Sequence, residues 1–213
     1  MPFDLPPVTR ALLIANVAIF GLQQLFGDVL LAWFALWPLG AGMPVQGGGS
    51  VGFEIWQLVS YGFLHGSVTH LLFNMLALWM FGGAIERLFG SRPFAVYYLV
   101  CVIGAAIAQL AVIAWFTGGF YPTLGASGGV FGLLLAFGMM FPHERIMLII
   151  PPIPMPAWLF VTGYGAIELF LGITGTQAGV AHFAHLGGMA AGFVLIQYWR
   201  GRLPWKPRRV LTR

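Results

Sequence analysis

Residues 94 to 116 read FAVYYLVCVIGAAIAQLAVIAWF, from Phe94 to Phe116 without a charged side chain. At about 1.5 Å per residue, a helix of this length crosses a hydrocarbon core of roughly 30 Å. The run therefore reads as a transmembrane helix. The chain around it has the same character, with 59% hydrophobic residues, 8% charged residues and a mean hydropathy of +0.88. Ordinary soluble domains carry roughly 25% charge. A water-soluble fold is excluded on that ground.

Outward from this run, further apolar stretches alternate with short segments that hold Pro, Gly and most of the charge. The expected fold is all-α, a polytopic membrane helix bundle of six transmembrane helices forming a single domain over 1-213. The spans predicted are Val8 to Phe26, Gly66 to Phe89, Phe94 to Phe116, Ser127 to Phe141, Ala157 to Ile173 and Val180 to Trp199. A Pro-rich bend at Pro151, Pro152, Pro154 and Pro156 separates the fourth from the fifth. The first run has a single basic residue at its start, Arg10, and lacks a clear small-residue cleavage site, so it reads as a mature helix rather than a signal peptide. Cys101 is the sole cysteine and reads as a small packing residue, because no intramolecular disulfide can form.

Orientation follows from the basic residues. With the amino terminus cytoplasmic, Arg10, Arg87, Arg92 and Arg145 fall inside, together with Arg200, Arg202, Lys206, Arg208, Arg209 and Arg213 of a basic tail over 200-213. These are all 10 Lys and Arg residues, and none is left for the opposite loops. Both termini are then cytoplasmic. The net charge of +4 is accounted for by a basic flank against anionic lipid, so the expected partner is the lipid bilayer and not nucleic acid.

Polar side chains in hydrocarbon are costly and mark function unless a partner explains them. Here His65, His70 and Asn74 lie at the outer end of the second span, Ser127 at that of the fourth, and His182 and His185 at that of the sixth. Glu168 lies in the outer part of the fifth. All fall on the side opposite the Lys and Arg residues, where positions three to eight residues in from the outer end lie on the order of 5 to 12 Å below the interface by helix rise. Water from that side can reach them.

His70 and Asn74 are spaced i, i+4 and share one helix face, either to hold helices together or to point at one target. Gly125-Ala126-Ser127-Gly128-Gly129-Val130-Phe131-Gly132 puts a serine between glycines where a loop becomes a helix, and free amides there suit a developing oxyanion. A helix cap with a small-residue packing face is the plainer reading of the same residues. His185, Gly188 and Gly192 fall at i, i+3 and i+7. If the glycine faces of the fourth and sixth spans meet, Ser127 can reach His185, with Phe131 packed against the imidazole.

These three motifs resemble the rhomboid family of intramembrane serine proteases. The resemblance rests on Gly125-Ala126-Ser127-Gly128, on Ala184-His185 with Gly188 and Gly192, and on His70 with Asn74. Softer matches are Trp56, Phe63-Leu64-His65, and Gly82-Gly83 with Glu86 and Gly90. It implies a six-helix core in which Ser127 is the nucleophile and His185 the general base. His70, Asn74 and the Ser127 amide would form the oxyanion hole, with Gly125, Gly128, Phe131, Gly188 and Gly192 in support. It implies a dyad with no cofactor and no metal, acting on transmembrane protein substrates that enter laterally between the second and fifth spans. Two departures stand out: Trp56-Gln57 replaces the family's frequent Trp-Arg pair, and Phe131 stands where some members have Tyr. Glu168 reads as a partner for neighbouring helix groups.

The rival readings are a catalytically inactive rhomboid-like protein that binds membrane clients, and a haem or metal protein using His65, His70, His182 and His185. The second leaves the serine motif unexplained. A bacterial inner membrane is the expected location.

Overall fold

The computed structural model describes residues 5–40, 42–44, 50–147, 152–175 and 181–205. Its longest helices among the described residues are α1 (Pro7–Phe34), α2 (Val68–Phe89), α3 (Ser91–Thr117), α4 (Ser127–Met140), α5 (Ala157–Thr174) and α6 (His182–Trp199). Among the described residues α1, α2, α3 and α5 are long and apolar enough to cross a membrane, and α4 is apolar but shorter. Helices suit this setting because hydrocarbon offers no water to backbone N–H and C=O groups, so each segment must satisfy its own. The outer surface is apolar too: Val17, Leu25, Leu72, Phe73, Ile107 and Phe170 are all more than half exposed. That is the pattern of a lipid-facing surface.

Small residues set the centre of the bundle. A Cβ on Gly104 of α3 would run into Ala191 of α6, one on Gly132 of α4 into Cys101 of α3, and one on Gly188 of α6 into the backbone of Gly128 in α4. The backbones of α3, α4 and α6 therefore lie close together, where van der Waals packing replaces the hydrophobic drive that lipid removes. Cys101 is fully buried in this contact.

The opposite end from Ser127 is tied by a carboxylate. Glu86, near the end of α2, accepts from the backbone N–H groups of Val8 and Thr9 at 3.0 and 2.7 Å. It also accepts from the hydroxyls of Thr9 and Ser91 at 2.8 and 2.7 Å. The first N–H groups of a helix lack intrahelical acceptors and carry a positive partial charge, so a buried anion fits there. Glu86 thus joins the starts of α1 and α3 to the end of α2.

Two boundaries differ from the sequence reading. The first helix does not end at Phe26: the chain leaves helical geometry there (φ -129°, ψ 32°) and resumes it through Phe34. Gly27 and Asp28 interrupt the apolar run, yet the following VLLAWF segment is again helical, and Trp37 Nε1 closes its end onto the carbonyls of Leu31 and Ala32 at 3.1 Å. The Pro-rich segment is also more than a bend. Pro154–Pro156 is a strand paired antiparallel with Arg145–Met147, in the register Ile146 to Met155. Proline tolerates an edge strand because its fixed φ is compatible with extended backbone and the lost N–H can face outward. Pro151, Val180, Lys206, Arg208, Arg209 and Arg213 lie outside the described residues.

At the Ser127 end, two connections support each other. Leu36 and Thr123 exchange backbone hydrogen bonds at 2.9 Å, and Trp37 stacks on Phe120 with centroids 5.3 Å apart. Gln57 is fully buried; its Oε1 accepts from Trp37 N at 3.1 Å and its Nε2 donates to Gly52 O at 3.1 Å. The residue that departs from the family pair therefore pins the loop by its amide.

Candidate active site

The site is assembled from four helices, beginning with the loop that leads into α4. Gly125 has φ +130°, a conformation that L side chains rarely adopt. Its N–H donates to Tyr61 O at 3.0 Å, which fixes the turn and lets α4 start at Ser127. With 14 residues, α4 is about 21 Å long by helix rise, shorter than the ~30 Å core.

From α6, His185 brings Nε2 to 2.8 Å from Ser127 Oγ. The approach depends on Gly188, one turn further along α6, which lies against the Gly128 backbone. Phe131, one turn into α4, stacks on the His185 ring with centroids 4.1 Å apart and planes 5° from parallel. Tyr164 of α5 stacks in turn on Phe131 at 5.2 Å. These contacts leave the imidazole little freedom to rotate.

The other ring nitrogen is engaged as well. His185 Nδ1 lies 2.9 Å from Glu168 Oε2 of α5, and His182 Nδ1 lies 2.7 Å from the same oxygen. All three residues are buried, and their ligand atoms lie within 4.8 Å of one another. In the sequence, His182 and His185 at i, i+3 and the unpaired intramembrane Glu168 were the available signals. What could not be read there is that one carboxylate oxygen meets both rings.

On the far side of Ser127, Ser67 caps α2 by accepting from His70 N at 3.0 Å. Gly66 N–H donates to His70 Nδ1 at 3.4 Å, which leaves Nε2 as the proton-bearing nitrogen of a neutral ring. That nitrogen faces Gly125, since a Cβ built there would lie 2.8 Å from it and 3.7 Å from Ser127 Oγ. Asn74 Nδ2 donates one hydrogen to His70 O at 2.9 Å and retains a second. His65 stands behind, its ring 5.1 Å from that of His70, with its peptide held by Gln23 of α1.

Ser127, His185, His70 and Asn74 open together onto a cavity of about 1450 Å³ between α2 and α5. Phe73 and Met80 line it from α2 and Phe160 and Gly163 from α5, and it reaches Ile146 and Met155 of the hairpin. The cleft is apolar apart from the polar cluster at one end.

A polytopic helical bundle with a serine and a histidine joined inside its helices is the class these features define. The Rhomboid domain family matches residues 52–202. The chain belongs to the rhomboid family and is an integral membrane protein. It is similar to RHOMBOID-like protein 4 of Arabidopsis thaliana, 37% identical over 68% of this chain and 34% of that protein. It is also similar to Rhomboid protein 1, mitochondrial, of Saccharomyces cerevisiae, 31% identical over 64% of this chain and 39% of that protein. Rhomboid protease GlpG of Klebsiella pneumoniae is 29% identical over 89% of this chain and 62% of that protein. The matched region thus spans from a third to somewhat under two thirds of these relatives.

Proposed function

We propose that this chain is an intramembrane serine endopeptidase that cleaves transmembrane protein substrates, with Ser127 as nucleophile and His185 as general base and acid. The reading rests on one observation above all: Ser127 Oγ and His185 Nε2 lie 2.8 Å apart at the head of an otherwise apolar helix. Ser127 Oγ attacks the peptide carbonyl carbon and its proton passes to Nε2. The negative charge on the carbonyl oxygen is met by the Ser127 N–H, His70 Nε2–H and the second Asn74 hydrogen. His185 then protonates the departing amine, leaving an acyl-serine. Water attacks that ester, gives its proton to His185, and release of the acid returns the proton to Ser127.

The apolar cleft between α2 and α5 supports lateral entry of a substrate helix, whose backbone must extend before Ser127 can reach it. The distribution of Lys and Arg supports an orientation with both termini cytoplasmic and the site towards the outer face, in a bacterial inner membrane. In this reading, residues 1-213 form one six-span unit whose tail over 200-213 faces the inner leaflet.

The test is labelling of the purified protein in detergent with a fluorophosphonate, beside cleavage of a transmembrane test substrate in proteoliposomes. Wild type is expected to label and cleave, and Ser127→Ala and His185→Ala to do neither while remaining folded. Labelling that persists in Ser127→Ala overturns the assignment, and a folded wild type that neither labels nor cleaves supports an inactive client-binding member.

A further inference from the structure

We infer that Glu168 is a positioning residue for His185, so that this chain works through a Ser127-His185-Glu168 triad rather than a dyad alone. The inference rests on the serine-protease reading above and deepens it. An ionised carboxylate can only accept hydrogen bonds. With Glu168 ionised, its Oε2, 2.9 Å from His185 Nδ1 and 2.7 Å from His182 Nδ1, accepts Nδ1–H from both rings. For His185 this fixes the tautomer: Nδ1 carries the proton and Nε2 holds the lone pair that faces Ser127 Oγ. The nitrogen needed as a base is thereby made available before substrate arrives.

The arrangement also serves the next step. When Nε2 takes the serine proton, the imidazolium that forms lies against a carboxylate in a buried setting, where such pairing is stronger than in water. Glu168 neither takes that proton nor touches substrate; it holds the ring and its charge. His182, from the same turn of α6, provides a second N–H that keeps the Oε2 atom from swinging away. Stacking of Phe131 on a face of the ring limits the remaining rotation.

The family resemblance implies a general base without an acid partner. The partner comes from α5, which runs antiparallel to α6 and is separated from it by the segment after Thr174.

The test compares Glu168→Gln and Glu168→Asp with wild type, Ser127→Ala and His185→Ala in proteoliposomes, with melting temperature as the control for folding. Glu168→Gln is expected to lower kcat by roughly 10²- to 10⁴-fold, the scale on which a wrongly set tautomer acts in Ser-His-acid sites, with KM nearly unchanged. Glu168→Asp is expected to recover part of that loss, since it keeps the charge at a shorter reach. A second readout is independent of turnover. With only 5 histidines, ¹⁵N-histidine spectra of the Ser127→Ala protein can be assigned, and His185 should show a protonated Nδ1 that is lost when Glu168→Gln is added.

A Glu168→Gln protein within about threefold of wild-type kcat, alongside inactive Ser127→Ala, overturns the triad and leaves the dyad standing. So does a His185 ring protonated at Nε2 in the presence of Glu168. If Ser127→Ala cleaves like wild type, the serine reading and the triad fail together.

Discussion

Gly188 of α6 is seated against the backbone of Gly128 in α4, so closely that a Cβ at 188 would overlap the Gly128 carbonyl. This contact lies one residue after Ser127 and one turn after His185, and it fixes the distance between them. Overpacking a tight interior typically costs about 1 to 3 kcal/mol, but misplacing reacting groups by about 1 Å can cost roughly 100-fold in rate. Gly188→Ala should therefore slow cleavage by roughly 100-fold at temperatures where the protein is still folded. Melting temperature and cleavage rate, measured on the same preparation, check this.

His70 occupies the space that a side chain at Gly125 would need, and Gly125 has a φ that a side chain would strain. Gly125→Ala should displace the imidazole and reduce kcat by about as much as His70→Ala. Removal of one oxyanion donor costs roughly 10²- to 10³-fold. Asn74→Ala should fall in the same range with KM less affected. Steady-state kinetics on a cleaved transmembrane reporter separate the two parameters.

Phe131 lies flat on His185 and is backed by Tyr164. Replacing the ring by leucine leaves the core filled but frees the imidazole. Phe131→Leu should lose on the order of 10- to 100-fold in kcat and label more slowly with a fluorophosphonate. Second-order labelling rates provide the measurement.

Glu86 has a different role from Glu168, although both are carboxylates in an apolar bundle. It accepts from Val8, Thr9 and Ser91, remote from Ser127. Glu86→Ala would strand the two buried donors of Thr9, each costing about 1 to 3 kcal/mol when unsatisfied, and the half-buried donors of Val8 and Ser91. A large loss of thermal stability is expected, while the fraction that stays folded should cleave normally. Glu86→Gln should fall between, keeping one acceptor oxygen but losing charge.

Gln57 bonds Trp37 and Gly52 from a fully buried position. Gln57→Ala should loosen the loop that borders Thr123, raising proteolytic sensitivity between α1 and α2 before it affects kcat. Limited proteolysis in detergent, read by mass spectrometry, tests this order of effects.

Much of this could be read from the chain. Uninterrupted apolar runs such as Phe94 to Phe116 dictate helices in a bilayer, because backbone polar groups have no other partner there. Ser127 between glycines, His185 ahead of Gly188, and His70 with Asn74 were visible as polar groups that hydrocarbon does not tolerate without cause. The end of α1 was less legible. Gly27 and Asp28 look like a terminus locally, and only the capping of Phe34's turn by Trp37 shows that the helix resumes. The strand at Pro154–Pro156 needed its partner at Arg145–Met147, since proline gives the conformation but not the pairing.

The sequence by itself determined the solvent in which this protein folds, the helical form of its segments and the candidate chemical groups, because these follow from hydropathy, length and residue type. Only the tertiary structure decided that Glu168 meets both His182 and His185, that Glu86 caps α1, and that Gly188 lets Ser127 reach its histidine. Each is a contact between residues on different helices. Hydropathy fixes which face of a helix is apolar but not its rotation and depth against a neighbour; those are set by which small side chains let backbones touch.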